Sequence, residues 1–377
     1  MAKKRIVVNA GPRARHDVPL SVSIGRQKKA RLVDEATRQV VPAQIVQGKL
    51  HWVLEHLAAG QEKTFVLETG RGSRPKVPGV TATRVGDAVE FHVGDEPFTT
   101  YHFGKDWARP YFYPVLGPEQ THLTRHYPLR KGVNGETTDH PHHKSLWVAH
   151  GAVNGVDNWS ESRAHGKIVS RRVKEVSDGP VLGILRQDLD WVSARGKKVC
   201  SEEREVRVYA TSPRERIVDL AVTFSATAGK VVFGDTKEGG ICSIRVATSM
   251  DGNNGGKIEN SYGAVGEAET WGRRAVWCDY SGPVSGKLAG IAVFDTPGNL
   301  RYPTTWHVRD YGLMTANPFG LSAFAPELGK SGEYVLKARQ KLRFAYRIFM
   351  HLGDASMARL TDKYHDYINP PRIRVQR

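Results

Sequence analysis

Residues 342–350, Leu342-Arg343-Phe344-Ala345-Tyr346-Arg347-Ile348-Phe349-Met350, place an apolar side chain at every second position. Successive side chains of a strand point to opposite faces, so this period marks a strand with one buried face. The pattern recurs where Val206, Val208 and Ala210 alternate with Arg207 and Tyr209, and where Val218, Leu220, Val222 and Phe224 alternate with Asp219, Ala221 and Thr223. Several such strands predict an all-β fold, a large antiparallel β-sandwich with its chemistry on loops and on the open face of one sheet.

Toward the amino terminus the strands shorten. Runs at residues 5–8, 20–24, 43–46, 50–54 and 64–67, separated by Gly, Pro or polar clusters, predict a small β-sandwich over residues 1–70. Residues 71–79, basic and rich in Pro and Gly, read as a linker to a large domain spanning 80–377. That domain ends in a short helix: Met357, Leu360, Tyr364 and Tyr367 follow helical spacing after Asp354, and Pro370-Pro371 stops it.

Composition narrows the function classes. The chain has 377 residues, 40% hydrophobic and 25% charged, as in ordinary globular proteins. No apolar run reaches the roughly 18 residues of a membrane-spanning helix. The net charge of +16 would attract anions, yet the basic residues are scattered and no nucleic-acid-reading motif accompanies them, so no nucleic-acid partner is expected. Cys200, Cys242 and Cys278 are widely spaced and read as buried thiols rather than a disulfide framework. The N-terminal apolar run is too short for a signal peptide, so a cytoplasmic location is expected; an exported protein trimmed of its leader would read the same. No dinucleotide fingerprint, phosphate loop or nucleophile elbow occurs, and no nucleotide cofactor is expected.

The densest chemistry lies in residues 135–159, GETTDHPHHKSLWVAHGAVNGVDNW. Pro141 keeps the histidine run out of a central strand. Extended there, the chain would put His140 and His142 on one side, which suits a metal with His150, Glu136 or Asp139 as third ligand; without metal, the same groups hydrogen-bond to one another. Residues 144–150 read as a strand with Trp147 and His150 on opposite faces, and Trp159 as a loop-borne aromatic platform. Downstream, Lys237 and Glu238 follow the apolar strand at 231–233 and precede two glycines; charges at such a strand end read as a ligand-binding rim or, equally, an exposed turn. Arg245, within an apolar strand, needs an acidic partner or an anionic ligand group. Trp271 and Arg274 form a further aromatic and basic pair. In residues 306–320, WHVRDYGLMTANPFG, His307 stands three residues before Asp310, an imidazole beside a carboxylate that could fix its tautomer.

Five stretches together resemble the methane oxygenase PmoA-like family. They are residues 110–118 (PYFYPVLGP), 135–159, 234–240 (GDTKEGG), 271–282 and 306–320. The resemblance spans roughly residues 80–352. It implies a β-sandwich of the galactose-mutarotase-like supersandwich type, associated with carbohydrate utilisation, and it transfers no catalytic pair.

The sequence therefore points to a carbohydrate-active enzyme that hydrolyses, eliminates or isomerises a small-molecule or oligosaccharide substrate. On this reading His307 and one of His140, His142 or His150 would supply acid–base chemistry, with Asp310, Asp139 and Glu136 orienting them or acting directly; Arg245 and Arg274 would bind hydroxyls or a carboxylate, Trp159 or Trp271 would stack on the ring, and Lys237 and Glu238 would form the binding rim. Two other readings stay open. One is an oxidoreductase or hydrolase whose divalent metal ion sits on His140 and His142. The other is a sugar-binding protein without catalysis, in which the aromatic residues matter and the histidines do not.

Overall fold

The computed structural model describes residues 4–25, 29–69 and 79–376. Residues 71–78 of the expected linker lie outside that set. All strand pairings described are antiparallel, and two eight-stranded sheets dominate. One, here the long sheet, runs in the order Lys167–Ser177, Leu182–Val192, Lys198–Tyr209, Glu215–Ser225, Lys341–Leu352, Lys287–Phe294, Trp277–Val284, Lys257–Asn260. Its centre holds the alternating stretches that decide the fold: Leu220 lies opposite both Val206 and Tyr346, all three buried.

The second sheet, here the site sheet, runs Trp306–Arg309, Leu313–Ala316, Gly239–Arg245, Leu146–His150, Tyr111–Val115, Glu96–His102, Ala88–Val93, Val80–Val85. Strand register sorts its side chains into rows. Phe112, Leu146, Ile244, Met314 and Val308 are neighbours across five strands and face the long sheet in the main apolar core. One residue along each strand, Tyr111, Trp147, Ser243, Thr315 and His307 form a matching row on the opposite face. The fold thus presents a row of polar and aromatic groups on a sheet face that the core does not use.

A smaller pair of sheets packs around Ile6, Leu20, Leu32, Trp52 and Phe65. Its strand Lys4–Asn9 pairs with the C-terminal strand Arg372–Gln376, so the chain end returns to the chain start. The expected C-terminal helix forms over Leu360–Ile368, starting later than its apolar spacing implies. Arg359 takes a left-handed conformation (φ 54°), and Asp354 accepts from the Met357 N–H in the preceding turn. Among the described residues no helix is long and apolar enough to cross a membrane.

A polar network is locked between the two large sheets. Tyr101 of the site sheet donates to Gln187 Oε1 at 2.8 Å and accepts from Arg204 at 3.2 Å; Arg204 in turn holds Glu202 at 2.6 Å, and Trp191 Nε1 donates to the other Glu202 oxygen at 2.7 Å. Arg204 and Glu202 are both fully buried. A buried cation left without its partner keeps its desolvation penalty. Glu202→Ala is therefore expected to lower unfolding stability by about 3–5 kcal/mol, measured by denaturant titration; a change within about 0.5 kcal/mol, typical of surface sites, would contradict a structural role for the pair.

Candidate functional site

Residues 125–145 fold over the outer face of the site sheet, held by fixed charges. Glu136 accepts the backbone N–H groups of His126 and Tyr127, each at 2.7 Å, which spends its carboxylate on loop geometry and removes it from the acid–base candidates. Asp139 receives two fully buried guanidinium groups on one oxygen: Arg125, which it pairs with directly, and Arg245 at 2.7 Å. Arg245 thus finds an acidic partner within the chain. Lys144 and Arg109 both pair with Glu161, and Arg109 also donates to the carbonyls of His142 and Trp159, so the histidine run and the Trp159 loop are tied together.

The second oxygen of Asp139 lies 2.6 Å from His140 Nδ1. Burial pushes the Asp139 carboxyl up, but Arg245, the His140 hydrogen bond and Arg125 outweigh it and hold the group down at about 2. An ionised carboxylate only accepts, so His140 donates through Nδ1–H and its neutral ring carries the lone pair on Nε2. His140 is partly exposed, with 39% of its side chain open to solvent, whereas His143 is buried. Its backbone is left-handed (φ 44°) directly before a proline, a conformation that surrounding contacts must impose. The extended geometry expected for the run is therefore absent. His140, His142 and His143 converge instead: His140 stacks on His143 with centroids 4.8 Å apart, while His142 stands nearly perpendicular to both.

The downstream stretch meets them here. The Tyr311 ring lies 4.8 Å from His140 at 14° and receives Arg245 on its face at 4.7 Å. Glu238 completes the junction, its carboxylate acting electrostatically on His307, on His142 and on Tyr311. Burial raises the Glu238 pKa, but the Lys237 ammonium, bonded at 2.5 Å, and the imidazoles of His307 and His142 reverse the shift and favour the ionised form.

His307 departs from its expected partnership. Its Nδ1 lies 2.8 Å from the Lys237 carbonyl and so carries the proton, while Nε2 is buried without a partner beside Trp271 and Phe324. Asp310 does not contact it; that carboxylate accepts the Glu267 N–H at 3.3 Å on the far side of the turn. The i, i+3 spacing fails because His307 lies in a strand and Asp310 in the turn that follows. His150 lies on the inner face, its Nε2 on the Gly234 carbonyl and its ring against Phe233 and Phe319, and takes no part in the site. Arg274 is also remote from it and donates to the carbonyls of Arg301 and Pro303. Trp159 is 1% exposed and packs at a tilt against Trp147 and edge-on to His143, which makes it a wall rather than an open platform.

For metal, the donor set does not assemble. Among the described residues no group of three or more His, Cys, Asp or Glu side chains could hold an ion. Nδ1 of His140, its nitrogen nearest a carboxylate, is already committed to Asp139. Four residues that sequence reasoning left out prove central: His143, Tyr311, Arg125 and Arg109. His143 and Tyr311 sat inside the stretches singled out; Arg125 and Arg109 carry no local signal, because their partners lie 14 and 52 residues away.

The site floor is shaped by small residues. Ser243 and Thr315 hydroxyls lie 2.6 Å apart, and a Cβ on Gly240 would fall 1.5 Å from Thr315 Oγ1. Burial drives the imidazoles of the molecule downward: His142, His150 and His307, with His51 and His122 elsewhere, fall to about 4. Unfolding restores an ordinary value near 6.5, so between these limits the unfolded chain binds more protons and stability falls on acidification. Glu215 and Asp295, raised by burial to about 7 and about 6, act in the opposite direction but are fewer. The melting temperature is expected to fall steadily from pH 6.5 toward pH 4.5. In His150→Asn the slope of stability against pH should be shallower by about 1.4 kcal/mol per pH unit; an unchanged slope would contradict a buried, neutral His150.

Comparison with known proteins places the chain in one family. A family model described as "Family of unknown function (DUF6807)" matches residues 88–365, and the chain belongs to that family. This corrects the resemblance read from the five stretches: the match is to that family and not to a methane oxygenase PmoA-like one. No curated protein matches the sequence. Among solved structures, a protein in glycosyl hydrolase family 38 from Enterococcus faecalis aligns with 100% of this chain and 47% of its own, at 10% identity and TM-score 0.46. An alpha-mannosidase from Enterococcus faecalis V583 aligns with 100% of this chain and 46% of its own, at 10% identity and TM-score 0.44. The chain thus spans about half the length of these structures.

Proposed function

We propose that this member of the DUF6807 family is a carbohydrate-active enzyme that moves a proton on a neutral sugar or glycoside through His140. The observation that carries the reading is the Asp139–His140 pair. A carboxylate held ionised by two buried arginines fixes the imidazole tautomer and leaves Nε2 as the basic atom of a partly exposed ring. A carboxylate-oriented imidazole is the usual arrangement for general acid–base work near neutral pH. Glu238, whose charge acts on His142 and Tyr311, is 45% exposed and disposed to ionise, so it counters positive charge developing on the substrate or on an imidazole. The aromatic wall of Tyr311, Trp147 and Trp159 excludes water on one side of the space.

The same geometry ranks the reaction types. Canonical glycosidases use two carboxyl groups, one of them protonated, on either side of the scissile bond. Here Asp139 is tied to guanidinium groups, Glu136 to backbone and Asp310 to the Glu267 N–H, which leaves Glu238 facing the imidazoles. The arrangement favours proton transfer at a sugar carbon or hydroxyl, as in isomerisation or elimination, over two-carboxylate hydrolysis.

The test is incubation with a panel of reducing sugars and glycosides in D₂O, followed by NMR for deuterium entering the sugar. Wild-type protein is expected to exchange or convert at least one member, and His140→Asn to reduce kcat by about 10²–10⁴-fold with the melting temperature unchanged. Hydrolysis without exchange, or full activity in His140→Asn, would overturn the assignment.

A further inference from the structure

Beside the Asp139–His140 pair, the site sheet carries a second set of imidazoles that the chemistry above does not use. Tyr113 packs on the apolar patch of Tyr111, Trp147, Trp159 and Leu313, and Tyr311 packs on the same patch. One aromatic surface therefore joins the two sets. His122 and His126 stand beside Tyr113, with imidazole centroids 4.0 Å apart and the Tyr113 ring edge-on to both. All three side chains are half-buried. The two sets are also adjacent along the chain: Arg125, the residue before His126, holds Asp139.

The hydrogen bonds fix the role of one imidazole and leave the other able to donate or accept. His122 Nδ1 lies 2.8 Å from the Thr124 carbonyl, which only accepts, so Nδ1 carries the hydrogen and Nε2 is an acceptor. His126 Nδ1 lies 2.8 Å from the Tyr113 hydroxyl. Burial, the largest influence on each, raises the phenol pKa and keeps it protonated, and lowers that of His126. The Tyr113 hydroxyl can donate to Nδ1 or accept from it, so His126 presents Nε2 as a donor in one tautomer and as an acceptor in the other. Burial holds His122 neutral as well, down at about 4. A neutral acceptor beside an imidazole that can take either role matches a pair of adjacent hydroxyls, each of which both gives and takes a hydrogen bond; the nearby charges, Arg130 and Glu136, are of opposite sign and do not select an anion. A half-buried tyrosine beside them offers a face for the C–H surface of a sugar ring.

We propose that Tyr113, His122 and His126 form a second saccharide subsite, so that the substrate is a neutral oligosaccharide, or a glycoside with a sugar-sized aglycone, with one unit at His140 and the next held here. The inference rests on the carbohydrate reading of the first site and extends it to substrate length.

The experiment compares binding of glucose, galactose and mannose with that of their neutral disaccharides and trisaccharides by calorimetry, on the full chain. Wild-type protein is expected to prefer at least one oligosaccharide tenfold or more over its constituent monosaccharide. In His122→Gln and His126→Gln that preference should collapse toward one. Side-chain NMR of the wild type supplies a readout that needs no variant: the oligosaccharide should shift the His122 and His126 ring resonances. A monosaccharide that binds and perturbs His140, with no gain for longer sugars and no shift at His122 or His126, would overturn the second subsite alone. Failure of every sugar in the panel to bind would overturn both readings.

Discussion

The site depends on one carboxylate carrying two guanidinium groups. Arg125 and Arg245 are both buried; burial and the Arg245 charge together bring Arg125 down to about 10. Among the described residues Asp139 is the one carboxylate that pairs with both. Arg245 belongs to a central strand of the site sheet, while Arg125, Asp139 and His140 belong to the loop that covers it, so this shared carboxylate fastens loop to sheet. It also sets the His140 tautomer. A residue that anchors a buried cluster and orients an exposed imidazole resists substitution on both counts, since its loss leaves two like charges out of water.

The sandwich converts this local constraint into a usable surface. Two rows of side chains one residue apart across the same five strands separate tasks: the inner row makes core and the outer row makes the site wall. Gly240 lets the row close tightly, and the Ser243 and Thr315 hydroxyls satisfy each other instead of demanding a ligand. What remains open to a substrate comes from the loops, chiefly His140, Glu238 and half-buried Tyr311. Positions fixed by the sheet are rigid, and the loop groups are held to them by ion pairs, which is how an open sheet face acquires a pre-organised centre.

Much of the fold was legible because strand alternation is a local signal. The stretches at 206–210, 218–224 and 342–350 became adjacent or near-adjacent strands of the long sheet. The C-terminal strand Arg372–Gln376 was passed over: Ile373 and Val375 alternate with Arg372 and Arg374, but the run is short, largely exposed and follows two prolines. Within the site, residue types were legible but geometry was not. Alternation assigned Trp147 and His150 to opposite faces, and the structure places Trp147 in the outer row and His150 against Phe233 and Phe319 on the inner face, both within the strand Leu146–His150. It failed for His140 and His142, where a left-handed residue before Pro141 breaks the period. Spacing paired His307 with Asp310, but a turn carries Asp310 away; conversely, the Asp139–Arg245 contact spans 106 residues and has no local trace.

Long-range ¹H–¹⁵N correlation of the histidine side chains near neutral pH tests the central claim most directly, because it reads the tautomer of each ring and its response to ligand. The account predicts that neutral His140 is the Nδ1–H form, and that a bound sugar shifts its Nε2 resonance while Asp139→Asn abolishes the tautomer preference. An Nε2–H tautomer for His140, or a ring that ignores every sugar that binds, would contradict it.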